Sequence, residues 1–357
     1  MGEKMTDVEN KEWQGFLYIS RYAGMREDIV QAGGGNSSAK ISGKRMYIKA
    51  SGYSMADISE RKGFSIIDQE KILRFLNSDS EISEEGTKKA VEEAFLEGEK
   101  PSIESFLHAM TGKYTLHSHP VTVNIMTSRE NGEKELKELF PEALFVEYAT
   151  PGSGLAKLYY ERCMQASDKK IELVFLRNHG LIVSAESPGR VIERTEYVLK
   201  RLEEYLNLNM EGYRNATLLY EALPDCWEKG TRLVFPAFHE ALAGLLLRNG
   251  GKPWRNDFCP DCIVYCGSQI CVLEKGKEEE GLIRFENEQG EPSVILYDGH
   301  FYVMAQNNSK AWEIQSVLAF GGMVAESNQE EKMRYLPEEE KRFLMNWDAE
   351  KFRKNKG

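Results

Sequence analysis

The residues in this sequence best suited to chemistry are histidines. Leu116-His117-Ser118-His119-Pro120 sets two imidazoles two residues apart. On a strand that spacing turns both side chains to one face, where they can converge on a single cation. Neutral imidazole is the commonest protein ligand for zinc and similar ions. Taken alone, the pair reads first as two ordinary histidines at a strand end. Asn178-His179-Gly180 supplies a third, in a tight turn between two apolar runs that can hold an exposed side chain rigidly. Half of the six histidines thus fall in two strand-edge clusters, and three His ligands with one position open is a catalytic arrangement rather than a closed structural one. Glu104 is the natural fourth polar group, because a carboxylate beside a divalent ion can be a ligand or a proton carrier. Without the histidines it reads as a first-turn residue facing the helix dipole.

Two further segments carry weaker signals. Gly33-Gly34-Gly35-Asn36-Ser37-Ser38, followed by Ala50-Ser51-Gly52, offers close backbone approach and free N–H groups that can cradle an anion. It is not a Walker loop: it lacks a Gly-Lys-Ser/Thr ending and follows a helix rather than a strand. Tyr148-Ala149-Thr150-Pro151-Gly152-Ser153-Gly154 joins a tyrosine to a rigid turn entering a helix. Tyr148 can donate a proton to an alkoxide, or simply pack.

The elements that must position these groups follow from periodicity and punctuation. A helix is predicted over Trp13 to Ala32, stopping at the glycine run, then a hairpin: a strand through Ala39 and Ile41, a turn at Ser42-Gly43-Lys44, and a strand from Met46 to Ala50. Residues 77–100, rich in Glu, Ser and Lys, read as a solvated helix with flanking loops. Pro101 and Ser102 open a helix, Tyr114 to Ser118 is a strand, and Pro120 starts the next helix. Strands at Glu172–Leu176 and Leu181–Ala185 flank the third histidine. A helix from Pro188 to Leu208 follows, its apolar stripe made of Val191, Ile192, Tyr197, Val198, Leu202 and Tyr205. Residues 213–232, with Pro224, Cys226 and Gly230, read as a boundary, giving domains at 1–212 and 213–357. Beyond it come a helix near Ala237–Arg248, short strands from Ile263 to Met304, a helix after Asn308, and a charged tail.

Composition narrows the class. The chain has 357 residues, 41% of them apolar and 29% charged, which is ordinary globular make-up and long enough for two domains. A net charge of −11 argues against nucleic acid as a partner. Neither an N-terminal apolar segment nor a run of membrane-spanning length is present, so no membrane association is expected, and six cysteines without a secretory signal read as reduced thiols of a cytoplasmic protein.

The order GGGNSS, KASG, SIES, LHSHP, YATPGS, RNHG, running from about Trp13 to Leu208, resembles the class II aldolase and adducin family. The resemblance implies a three-layer αβα fold around a largely antiparallel sheet, here with a smaller C-terminal α/β unit, and a homo-oligomer, most often a tetramer. It implies zinc on His117, His119 and His179, with Glu104 as the acid/base carboxylate. Tyr148 would protonate the aldehyde oxygen from a neighbouring subunit, and Asn36, Ser51, Gly52 and Ser102 would surround a substrate phosphate. The activity implied is retro-aldol cleavage of a ketose, a sugar 1-phosphate by analogy; 4-epimerisation or dehydration at the same site, or a non-enzymatic module like that of adducin, are the alternatives. Gly33 and Ile103 depart from the family pattern, removing two hydroxyl donors from the phosphate cradle, for which Lys40 or Lys49 can compensate unless they face solvent.

The C-terminal region carries two signals of its own. Phe175–Ala185 resembles Ile295–Ala305 at an offset of about 120 residues, both reading strand, polar turn, strand and then helix, as in a degenerate repeat. No His-x-His precedes the second copy, and His300 is displaced by one position relative to His179. Cys259-Pro260-Asp261-Cys262 invites a metal-knuckle reading, but a structural site needs four ligands, and neither Cys226 nor Cys271 completes a second pair. Cys262 and Cys266 flank an apolar run that reads as a buried strand.

Overall fold

The computed structural model describes residues 7–41, 44–78, 82–166, 171–224, 227, 232–248, 250–328 and 332–346. They form two compact units, Met1–Asn209 and Met210–Gly357. Ser42 and Gly43 of the predicted turn, Cys226 and Gly230 of the predicted boundary, and the tail after Asn346 lie outside the described residues. Among the described residues no helix is long and apolar enough to cross a membrane.

The first unit is built on eight strands: β1 Asn36–Lys40, β2 Arg45–Lys49, β3 Phe64–Asp68, β4 Phe95–Gly98, β5 Tyr114–Ser118, β6 Leu144–Val146, β7 Leu173–Leu176 and β8 Gly180–Ala185. They stand in the order β4-β3-β2-β1-β5-β8-β7-β6, antiparallel except for β6 beside β7. Strand alternation sends Ala39, Tyr47, Leu116, Phe175 and Val183 to one face. There they pack under α1 Asp7–Gly24, α5 Val121–Thr127, α6 Gly132–Leu139 and α8 Pro188–Leu206. Met46, Ile48, Ile67, Val174 and Ile182 face the other way. That side is covered by α2 Gln69–Leu76, α3 Glu84–Ala94, α4 Ser105–Ala109 and α7 Ser153–Gln165. The result is the expected three-layer αβα arrangement with a largely antiparallel sheet. Each fully buried Leu, Ile, Val or Phe contributes about 1.5–3 kcal/mol, so the two apolar faces hold the sheet that carries the histidines.

Several boundaries differ from the sequence reading. The first helix ends at Gly24, and residues 25–32 turn so that the carbonyls of Asp28 and Ile29 accept hydrogen bonds from Val121 and His119, both at 2.9 Å. The helix predicted to open at Pro101 starts at Ser105, because Pro101 bridges to Ala50 and Ser102 Oγ accepts from the Glu104 N–H at 3.2 Å. Phe95–Gly98 is an exposed edge strand paired with β3 instead of a loop. On α8 the buried stripe runs through Val191, Thr195, Val198, Leu199 and Leu202, while Tyr197 and Tyr205 are about half exposed.

The second unit contains α9 Glu211–Glu221, β9 Leu233–Pro236, α10 Glu240–Arg248, α11 Pro260–Cys266, β10 Cys271–Leu273, α12 Glu278–Gln289, β11 Val294–Tyr297, β12 His300–Ala305, α13 Asn308–Ser327 and α14 Glu338–Asn346. The helix α9 occupies much of the segment read as a boundary. The run from Cys262 to Cys266 is helical, because Cys259 and Pro260 supply an extended cap and a first-turn proline. Its sheet order is β10-β11-β12-β9, with β10 parallel to β11 and the other pairs antiparallel. The first unit shows the same order and directions in β6-β7-β8-β5. The helices alternate alike as well: β5-α5-α6-β6-α7-β7-β8-α8 against β9-α10-α11-β10-α12-β11-β12-α13.

Candidate metal centre

His117 lies on β5, where Leu116 points into the core under α1 and α8 and His117 therefore turns to the α4 side. Its Nδ1 lies 3.1 Å from the Leu181 carbonyl on β8. Donation of that N–H leaves the Nε2 lone pair facing the site. His119 follows β5, its own backbone N–H held by Ile29. His179 ends the loop between β7 and β8, one residue after Asn178, whose left-handed φ of 51° turns the chain. The three Nε2 atoms meet, with His119 at 3.2 Å and His179 at 3.3 Å from His117, and among the described residues these histidines form the one cluster of three or more such groups close enough to share an ion.

The donor set fits a divalent cation. Nitrogens ~2.0–2.1 Å from a tetrahedral ion stand about 3.3–3.4 Å apart, close to the spacing seen. Burial, and after it the charge of neighbouring histidines, pushes His119 down to about 3 and His179 to about 4. These two imidazoles are therefore neutral near pH 7, as ligands must be. Lone pairs directed at one another repel unless a positive charge sits between them.

Glu104, at the cap position of α4, places Oε1 3.4 Å from His117 Nε2 and 3.9 Å from His179 Nε2. Burial works against its ionisation, but His117, His108 and His179 outweigh burial and hold the carboxyl well below the usual carboxylate range. Asn36 Nδ2 donates to Glu104 Oε2 at 3.2 Å, fixing the carboxylate from β1. Thus five predicted residues, Asn36, Glu104, His117, His119 and His179, meet from four segments. Ser51, Gly52 and Ser102 lie on two neighbouring segments joined by the Ala50–Pro101 bridge and by the Ser51 N–H to the Lys100 carbonyl. Tyr148 is 58% exposed on the loop after β6.

Close approach demands glycine at two places. A Cβ on Gly34 would stand 2.9 Å from His119 Nδ1, and one on Gly180 would stand 2.2 Å from the Ser118 carbonyl and 3.0 Å from the His119 ring. Both lysines bond backbone carbonyls. Lys49 is 3% exposed and bonds the carbonyls of Tyr53 at 2.7 Å and Gly33 at 3.1 Å. Lys40 bonds the carbonyls of Ala109 and Thr111 at the end of α4. Each ammonium ties backbone segments together.

Sequence reasoning missed two supports. His108, fully buried one turn after Glu104, has Nδ1 2.7 Å from Ser38 Oγ and is pushed down to about 3 by burial. The spacing of four from Glu104 within a helix was the available signal. Arg26, also fully buried, holds Asp28 through two hydrogen bonds and pairs with Glu196 on α8, anchoring the loop that grips His119. Removing one partner of such a buried pair typically costs about 3–5 kcal/mol.

A family model described as the Class II Aldolase and Adducin N-terminal domain matches residues 14–206. The chain is similar to an uncharacterized oxidoreductase, YuxG, of Bacillus subtilis (strain 168), with 26% identity over 203 residues, 54% of this chain and 29% of that protein. It thus spans less than a third of that relative's length. Among solved structures it resembles the N-terminal class II aldolase domain of a conserved Thermoplasma acidophilum protein, at 24% identity and a TM-score of 0.49, covering 58% of this chain and 96% of that one. An L-fuculose-1-phosphate aldolase of Thermus thermophilus matches at 15% identity and a TM-score of 0.35, covering 54% of this chain and 90% of that one.

Proposed function

The chain belongs to the class II aldolase and adducin family, and from that premise we propose that it is a metal-dependent carbon–carbon lyase cleaving a ketose, with sugar 1-phosphates as the first substrate class to test. The observation that carries the reading is the meeting of three imidazole nitrogens with a carboxylate 3.4 Å away. His117, His119 and His179 would hold one divalent ion, zinc by ligand type, with other divalent metals able to occupy the same donors. Bound there, such an ion supplies a Lewis acid that steadies the negative charge left on the ketose fragment when the C3–C4 bond breaks.

The chain's own residues then account for the protons. Glu104, its Oε2 held by Asn36, would move a proton at C3 of the departing fragment. The C4 oxygen needs a second group, and Tyr148, exposed on its loop, is free to serve the site of a neighbouring subunit in a homo-oligomer, a tetramer by family analogy. Asn36, Ser51, Gly52 and Ser102 would line the substrate end. With Gly33 and Ile103 in place of hydroxyl residues and both lysines engaged, backbone N–H groups would do most of the binding.

In the second unit the register places Pro236 opposite Tyr302 and Phe235 opposite Val303, as His117 stands opposite Ile182 and Leu116 opposite Val183. We infer that this unit is a degenerate copy whose metal positions are Pro236, Phe238 and Gly299, and that it serves scaffolding or assembly.

The test supplies metal-loaded protein with a panel of ketose 1-phosphates and free ketoses and follows products by NMR. Release of an aldehyde and a three-carbon ketone, lost in His119→Ala, supports the lyase. Epimerised or dehydrated product alone would replace it with the corresponding alternative, and absence of bound metal would favour a non-enzymatic module.

A further inference from the structure

The second unit holds a pair of thiols that the metal centre does not use. Cys259 caps α11 with extended dihedrals, Pro260 takes the first helical position, and Cys262 lies one turn in. Their Sγ atoms are 3.4 Å apart. The two differ in access: Cys259 is half-buried and Cys262 is 0% exposed. Behind Cys262 Sγ stands Gly321 of α13, where a Cβ would lie 3.4 Å from the sulfur. Cys266, on the same helix, directs its thiol to the Ile314 carbonyl at 3.7 Å. Among the described residues the three thiols do not converge closely enough to share an ion, so a closed thiolate metal site lacks its ligands.

We propose that Cys259 and Cys262 form a thiol–disulfide exchange site whose substrate is a low-molecular-weight disulfide. The Cys259 thiolate attacks one sulfur of the small disulfide, breaking its S–S bond, forming a mixed disulfide and releasing one small thiolate. Cys262, its proton taken by that thiolate, then attacks Cys259 Sγ. The Cys259–Cys262 bond forms, the mixed disulfide breaks, and a second small thiolate leaves, taking back from solvent the proton that Cys259 released on ionising. Two electrons and two protons pass from the protein to the small disulfide, so the step balances. The sulfurs must close from 3.4 Å to a bond of about 2.05 Å, within reach of side-chain rotation. Burial, with the neighbouring Cys259, raises the Cys262 thiol well above its ordinary value. That suits it to the second, intramolecular attack and protects it from the first.

The experiment equilibrates the full-length protein in glutathione buffers running from reduced to oxidised, quenches with acid, alkylates after denaturation and maps peptides by mass. Cys259 and Cys262 should lose alkylation together in one two-electron step, while Cys163, Cys266 and Cys271 stay modifiable. Cys262→Ser should retain one glutathione on Cys259, and Cys259→Ser should take none at Cys262. Cys262→Ala repeats the first test should the serine disturb packing, and the wild-type titration depends on neither variant. Thiols at Cys259 and Cys262 that remain alkylatable in the most oxidising buffer would overturn the proposal. So would zinc held by these cysteines in a His117→Ala, His119→Ala double variant.

Discussion

The segment from β7 through α8 and the segment from β11 through α13 share one scaffold, the first with a histidine of the cluster in its turn and the second without. Both run strand, tight turn, strand, then a long helix capped by a side chain: Ser187 accepts from the Arg190 N–H, and Asn307 from the Lys310 N–H. Both turns use a left-handed residue, Asn178 at 51° and Asp298 at 50°. The turns differ by one residue. Leu176 pairs with Gly180, leaving a three-residue loop that presents His179, whereas Tyr297 pairs with His300, leaving only Asp298-Gly299. With both φ values positive, the latter is the favoured two-residue hairpin turn. At the position of the His-x-His strand the second unit carries Pro236 and Phe238, and the Phe238 ring packs against Tyr213 and His300. One inserted loop residue and three side chains thus separate a three-histidine cluster from an aromatic cluster on the same scaffold.

The largest expected effect breaks that contrast on one side only. His119→Ala should lose the ion and reduce cleavage by about 10³-fold or more, the several kcal/mol a Lewis acid contributes. Phe238→Ala, at the matching place, should leave metal content and rate unchanged. Metal analysis beside the product assay checks both, and metal released by the Phe238 change would show that the second unit is not silent. Glu104→Gln should keep the ion and lower kcat by about 10²–10⁴-fold, because it removes a proton carrier of nearly the same shape. Mixing it with Tyr148→Phe under subunit exchange should restore part of the rate; a fully active monomer in sedimentation would remove Tyr148 from a shared site.

A pair of glycines sharpens the comparison further. Gly34→Ala forces a methyl to 2.9 Å from His119 Nδ1 and should weaken metal binding about 10–100-fold, measured by competition with a chelator. Gly299→Ala meets nothing within 4 Å, so only its φ of 73° opposes it. About 1–2 kcal/mol of stability should go, with metal affinity intact. A further effect is one of pH. His119 and His179 are held below their ordinary value of 6.5, so the unfolded chain binds protons that the metal-free fold refuses. Stability of the metal-free protein should be full above pH 6.5 and decline as pH falls toward 4, and His119→Ala should flatten part of that slope in denaturant titrations.

Much of this was legible in the sequence because it rests on local chemistry. The two-residue spacing of His117 and His119 needs only a strand to converge, and Asn178-His179-Gly180 needs only a turn. The αβα layering followed from the family resemblance and is matched by alternating faces such as Met46, Tyr47 and Ile48. What escaped depends on partners far along the chain. Residues 25–32 keep helical spacing but are claimed by the N–H groups of His119 and Val121. Lys49 on a strand has no local mark that it will bridge Gly33 and Tyr53. Cys262 to Cys266 is apolar enough for a buried strand, and only the Cys259-Pro260 start, a helix signal in its own right, decided otherwise.

The most direct test of the metal centre is X-ray absorption at the metal edge of the purified full-length protein, with total metal counted per chain. The expected result is one divalent ion per chain with three imidazole nitrogens at about 2.0–2.1 Å and light oxygen or nitrogen atoms in the remaining positions. Sulfur scatterers at about 2.3 Å would put the ion on cysteine instead, and a chain that purifies without metal and takes up none would leave His117, His119 and His179 without the role assigned to them.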